Sequence, residues 1–204
     1  MSGEENRKGT ARLGCQVIDE QYELRPFVSA HAGEVAGWVA SPEELFLLAP
    51  LTKHPLTAEK VRGWTGGTDR PYVYFSGAEP VAYGELNQVP QRAGQLWVGH
   101  FVVAPSARGR STGRRFLRAL LDEAFLHCEA DSVALVVFPE NGAAIRCYRS
   151  AGFADLGPQR RRFPGHWQAH ELRHMKLTRQ DYLRRPGRTG RTGRPEIQAV
   201  CHCF

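Results

Sequence analysis

Residues 96–125 read LWVGHFVVAPSARGRSTGRRFLRALLDEAF, and this stretch decides the architecture. Residues 96–103 are apolar and β-branched, the composition of a buried strand. Pro105 ends that strand, because proline has no N–H to give to a ladder. From Phe116 onward the apolar residues Leu117, Leu120, Leu121, Ala124 and Cys128 fall on one face of a helix. Between strand and helix lies Arg108-Gly109-Arg110-Ser111-Thr112-Gly113. Its backbone N–H groups, two glycines and arginines sit at a helix start, where the dipole favours an anion such as phosphate. On its own, such a pattern is equally a solvated basic turn. It is not a P-loop, which needs lysine where Arg114 stands, nor a dinucleotide fingerprint, whose glycine run Ser111 interrupts.

Around this centre the chain reads as one α/β domain of mixed sheet and flanking helices. Tyr22 to Phe27 forms a first short strand, and residues 29–39 have helical character. Ser41-Pro42-Glu43-Glu44 is a capping box with proline at the first helical position, so a helix starts there. Residues 57–64 offer another short helix before Gly66-Gly67. Residues 72–75 and 81–86 are strand-like, joined by the hairpin signal Ser76-Gly77-Ala78-Glu79-Pro80. Residues 132–138 (SVALVVF) are apolar without alternation, as in a parallel strand buried on both faces. A helix over 141–151 stops at Gly152. Two closing strands are expected at 153–156 and 167–177, with Arg160-Arg161-Arg162 in the loop between them.

Composition sets the limits. The 204 residues, 42% hydrophobic and 24% charged, suit one soluble globular domain. No run of eighteen apolar residues suggests a membrane span, and the polar, mixed-charge N-terminus does not resemble a signal peptide. Five cysteines without framework spacing point to a reducing, cytoplasmic setting. The expected organisation is a flexible N-terminus (1–20), a folded domain (21–180) and a basic low-complexity tail (181–204). From Arg184 onward five arginines are opposed by Glu196 alone, so +4 of the net +6 charge lies in the tail. That segment has too few apolar residues to order itself. Arginines along such a tail suit phosphates, but it lacks aromatics interleaved for base stacking, so no nucleic-acid role is expected. Cys201-His202-Cys203 offers three adjacent donors without a fourth, and no metal site is expected.

The central stretch resembles the acetyl-CoA motif of the GNAT N-acetyltransferase superfamily: a strand ending Val-x-Pro, then Arg/Gln-x-x-Gly-x-Gly/Ala opening a long helix. Val103-Ala104-Pro105, Arg108 and Gly113 match; Ser111 stands where the first paired glycine is usual. A second block follows in order, Asn141-Gly142-Ala143-Ala144-Ile145-Arg146-Cys147-Tyr148 and then Gly152-Phe153. The resemblance spans residues 22–178.

It implies a GNAT fold in which two neighbouring parallel strands splay and the pantetheine arm of acetyl-CoA lies between them. Backbone groups of Phe101, Val102 and Val103 would pair with the pantetheine amides. N–H groups of Arg108, Gly109, Arg110, Ser111, Thr112 and Gly113 would take the pyrophosphate, and Asn141 would bond the arm. The early helices would cover the acceptor pocket. Tyr148 matches the family's thiolate-protonating tyrosine. The base departs from the pattern, since Trp97 and Val136 stand where some members carry glutamate. Glu85 and His100 remain as candidates, as does loss of the proton through water. Glu85 is the one assigned, because a carboxylate on an otherwise apolar strand either faces water or has a task. The expected activity is acetyl-CoA-dependent acetylation of a primary amine on a small molecule or protein, without metal or membrane. The alternatives are a non-catalytic acyl-CoA-binding module and a nucleic-acid-associated protein acting through the tail.

Overall fold

The computed structural model describes residues 22–185, so the expected N-terminal segment and nearly all of the basic tail lie outside it. Its strands are β1 (Tyr22–Pro26), β2 (Arg70–Ser76), β3 (Glu79–Gln88), β4 (Gln95–Val103), β5 (Ser132–Val137), β6 (Ala154–Arg162) and β7 (Ala169–Thr178). They form one sheet in the order β1-β2-β3-β4-β5-β7-β6, antiparallel throughout except for β4 with β5. The helices are α1 (Ala32–Gly37), α2 (Pro42–Leu48), α3 (Ala58–Arg62), α4 (Thr112–Asp122), α5 (Gly142–Ala151) and α6 (Arg179–Leu183). The expected mixed sheet with flanking helices is therefore the observed one.

The crossover from β4 through α4 to β5 holds the sheet together. Phe116, Leu117, Leu120 and Leu121 bury the apolar face of α4. Beneath them lies Gly84 of β3, where a Cβ would come within 3.1 Å of the Phe116 ring; glycine lets the helix settle onto the strand. A π-helical turn, Glu123–His127, continues α4 and keeps Ala124 and Phe125 buried.

What positions the site is a failure of pairing. β4 and β5 are joined only at Gln95↔Ser132, Leu96↔Val133 and Trp97↔Ala134. Past Trp97, β5 stays with β7 as far as Val137↔Arg173, while β4 stays with β3 as far as Val103↔Ala82. The two strands open into a V whose facing edges have no strand partner among the described residues. A bulge bends β4 as it leaves: Glu85 faces Gly99 and Tyr83 faces Val102, so two steps of β3 span three of β4. His100 lies in that bulge at φ +39°, in the left-handed region.

The helix signals act locally. Ser41 Oγ accepts the Glu44 N–H at 3.2 Å, while the Glu44 carboxylate takes the N–H of Ala40 instead of Ser41, a capping box displaced by one residue. Thr57 caps α3, and Asn141 caps α5, which ends at Gly152 with φ +95°.

Three expectations are corrected. Arg160, Arg161 and Arg162 belong to β6, with Arg162 opposite Ala169. As the sheet's edge strand, β6 is exposed along most of its length and leaves no apolar alternation to read. Trp167 lies before β7 and is 93% exposed. The packed unit also continues past residue 180: Tyr182 of α6 is buried against Phe125 and donates to Asp122 at 2.9 Å.

Candidate active site

The V opens onto a cavity of about 800 Å³. Val98 and residues 101–103 of β4 form one wall; Val136 and Val137 of β5 form the other. The turn before α4 closes one end, α5 contributes Cys147 and Tyr148, and α2 contributes Glu44, Leu47 and Leu48. Phe101, Val102 and Val103 thus stand together at the unpaired edge, a place where an amide-bearing arm can add as a strand. The Val103 carbonyl already accepts from Arg108 Nε at 3.0 Å.

At the turn, Gly109 and Ser111 both adopt positive φ, +75° and +63°. Ser111 is the N-cap of α4 and makes no side-chain cap bond. Thr112 and Gly113 open the helix, where N–H groups have no intrahelical carbonyl to meet. Arg108, Gly109, Ser111, Thr112, Gly113 and Arg114 line the cavity; Arg110 is exposed and outside the lining. The Arg108 guanidinium is committed elsewhere. It pairs with Glu44 at 2.5 Å and donates to the Trp38 carbonyl at 3.0 Å, tying the end of β4 to the first helices.

Asn141 lines the cavity while its Oδ1 caps α5 through the Ala144 N–H at 3.1 Å, so the amide nitrogen remains for a ligand. Tyr148 is buried on the same wall, its ring edge-on to Phe101 with centroids 5.9 Å apart. Its hydroxyl has no hydrogen-bond partner among the described residues. Burial pushes the phenol far above its usual range, which keeps a neutral O–H available to donate. The neighbouring Cys147 thiol is pushed up to about 11 by burial, which Arg114 offsets only in part. It is protonated at neutral pH and a poor nucleophile.

Glu85 does not reach the cavity. It has no exposed surface, and its carboxylate accepts from the Tyr83 hydroxyl at 2.7 Å, Asn87 Nδ2 at 3.0 Å and His100 Nδ1 at 2.8 Å. Burial acts to raise its pKa, but the hydrogen bond and charge of His100, with Asn87 and Tyr83, outweigh it and hold the group below its ordinary value. His100 does line the cavity and stacks on Trp64, centroids 4.2 Å apart and planes within 10°. Sequence reasoning missed Trp64 and Gly99 as parts of this cluster. A Cβ on Gly99 would lie 2.9 Å from both Glu85 Oε2 and Asn87 Nδ2. Glycine inside a strand, beside a histidine, was the available signal.

A second cavity, of about 560 Å³, shares Leu47 and Glu140 with the first. Phe46, Phe138 and His170 line it, and Glu43, Glu140 and Glu171 bring carboxylates to its edge. Among the described residues no His/Cys/Asp/Glu group could hold a metal, and no helix is long and apolar enough to cross a membrane. Cys201-His202-Cys203 lies outside the described residues.

Comparison with known proteins adds four findings. The chain is 37% identical over 87 residues to the N-alpha-acetyltransferase RimI of Mycobacterium tuberculosis, a match covering 42% of this chain and 52% of that protein. The chain thus spans about half the length of that curated relative. The fold matches a chimera of the Vibrio cholerae spermidine N-acetyltransferase SpeG and hSSAT, with a TM-score of 0.67 at 18% identity over 81% of this chain and 99% of the other. It also matches the Vibrio cholerae spermidine N-acetyltransferase solved with CoA and spermine, with a TM-score of 0.65 at 17% identity over 80% and 98%. The profile of the Acetyltransferase (GNAT) family matches residues 43–153, more than half of the chain, and together with the splayed strands it establishes that the chain belongs to that family.

Proposed function

We propose that the protein is an acetyl-CoA-dependent N-acetyltransferase that moves an acetyl group from the CoA thioester to a primary amine of a small molecule or protein. The observation that carries this reading is the V between β4 and β5, with unpaired edges running to the N-terminus of α4. Its parts suit CoA in order: a strand-wide slot for the pantetheine amides, positive N–H groups from Arg108 to Gly113 for the pyrophosphate, and Asn141 beside the arm. Tyr148 then stands where sulfur departs. A neutral phenol in a water-poor wall can protonate a thiolate, and Cys147, held as a thiol, favours direct transfer over an acetyl-cysteine intermediate.

The acceptor enters from the second cavity in this reading. Aromatic rings beneath three carboxylates favour a cationic acceptor, through ring-face attraction and opposite charge. The relatives named above carry amine acetylation in their names, and that supports the reaction class without fixing the acceptor. Glu85 is the ionised group on the amine side, one residue back from the cavity. The test is a panel of polyamines, amino acids and peptides, each incubated with acetyl-CoA and followed by release of the CoA thiol. Acetyl-CoA-dependent release with at least one amine supports the assignment. Tight CoA binding with no release for any amine would make the protein a binding module.

A further inference from the structure

We propose that His100 is the residue that takes the proton from the acceptor amine, with Glu85 as its positioning residue; this rests on the acetyl-transfer reading above. Trp97 and Val136 cannot accept a proton, and Glu85 has no surface in the cavity. His100 has both the access and the support. His100 lines the cavity, its side chain keeps 26% of its surface exposed, and its Nδ1 lies 2.8 Å from Glu85 Oε1. An ionised carboxylate only accepts, so Nδ1 carries a hydrogen, and Nε2 is the ring nitrogen left to take or give a proton. Nε2 has no partner among the described residues. The ring is thus anchored at one nitrogen on the buried side, while about a quarter of the side chain stays open to solvent.

The surroundings fix that orientation from several sides. Trp64 covers the ring face and is itself held by its Nε1–H on Thr52 Oγ1 at 2.9 Å. Gly99 leaves the space into which the Glu85 carboxylate and Asn87 amide pack. The bulge turns residue 100 out of the ladder at φ +39°, a backbone state uncommon for non-glycine residues but one that histidine enters more readily than most. The other titratable groups are Tyr83 of β3 and, lining the same cavity, Glu44 of α2, paired with Arg108, Arg114 of α4, Glu140, and Arg146, Cys147 and Tyr148 of α5.

The chemistry balances. Nε2 takes one proton from the bound ammonium, and the Glu85 carboxylate offsets the imidazolium charge. The freed amine lone pair forms the C–N bond at the thioester carbonyl, and the C–S bond then breaks, its electron pair leaving on sulfur. Tyr148 gives its proton to that sulfur and regains the surplus proton of the new amide nitrogen. His100 releases its proton to solvent. One acetamide, one thiol and one proton result from one ammonium and one thioester.

His100→Asn tests the assignment, because asparagine tolerates positive φ and carries no base. Glu85→Gln keeps the carboxylate's shape without its charge. The measurements are kcat against pH with an acceptor from the panel, acetyl-CoA affinity, and the ¹⁵N shifts of His100 in the wild type. The expected loss for His100→Asn at neutral pH is on the order of 10²–10⁴ in kcat, with affinity within a few-fold. Its rate should keep climbing toward the amine's own pKa, about 10, after the wild type has levelled off. Glu85→Gln should fall between the two, and the ¹⁵N shifts should report a hydrogen on Nδ1. Parallel pH profiles for wild type and His100→Asn, or a hydrogen on Nε2, would overturn the base assignment and leave acetyl transfer standing. A wild type that acetylates no amine would overturn the enzymatic reading itself, and the base with it.

Discussion

A single buried carboxylate, Glu85, ties β3 to the bulge of β4. Glu85 is ionised without solvent because three donors converge on it, so its neighbours are as exposed to its loss as it is to theirs. Glu85→Ala leaves those donors unmatched in the interior and should cost about 3 kcal/mol in urea denaturation. The pH dependence follows from the sign of the shift. The folded pKa lies below the ordinary glutamate value of 4.5, so the stabilisation is complete above that value and drains away as pH falls through the lower folded one. Urea midpoints measured between about pH 6 and pH 3 should decline for the wild type and lose that component in Glu85→Gln. Cys147 gives a prediction of the opposite kind. With its thiol pushed up to about 11, it is not a nucleophile at neutral pH, and Cys147→Ala should turn over within a few-fold of wild type. An acetyl adduct on Cys147 in intact-mass spectra would contradict this.

At the scale of elements, the turn into α4 combines backbone strain with N–H groups that meet no intrahelical carbonyl. Ser111 holds a left-handed conformation that costs a non-glycine residue on the order of 1 kcal/mol, with no side-chain cap in return. Ser111→Gly removes that strain but frees the unfolded chain by about 0.5–1 kcal/mol, so the melting temperature should barely move. Acetyl-CoA affinity should hold or improve. Gly113 is a different case. A Cβ there would lie 3.6 Å from Val103 Cγ2 and 3.9 Å from Cys147 Sγ, ordinary contacts, so Gly113→Ala should fold and bind much as wild type does. Gly113→Glu sends a carboxylate into the lining at the helix N-terminus, where the proposed function seats the pyrophosphate. Calorimetry should register at least about a tenfold loss of acetyl-CoA affinity, some 1.4 kcal/mol. Unchanged affinity would remove the pyrophosphate from this turn.

Over the whole molecule, how much is legible in the sequence depends on whether a residue's role is local. The strand at 96–103, the helix face from Phe116, the Ser41 and Asn141 caps and the stop at Gly152 are written in short-range periodicity and cap chemistry, and they stand where expected, although α4 already begins at Thr112 within the expected turn. β6 escapes such a reading because an edge strand carries no burial alternation, and α6 escapes it because the burial of Tyr182 depends on Phe125, far away in sequence. The same distinction runs through the site. The backbone positions proposed for the ligand follow from one motif, whereas the burial of Glu85 behind His100, with Trp64 across the ring, exists only once α3, β3 and β4 are assembled. In the proposed function this assembly transfers acetyl groups, with Tyr148 protonating the departing sulfur. Tyr148→Phe keeps the ring packing and removes only the phenolic proton, so kcat with an amine from the panel should be compared with acetyl-CoA affinity in the same variant. The expected result is a loss in kcat on the order of 10²–10⁴ with affinity nearly unchanged. Near-normal turnover in Tyr148→Phe would contradict it.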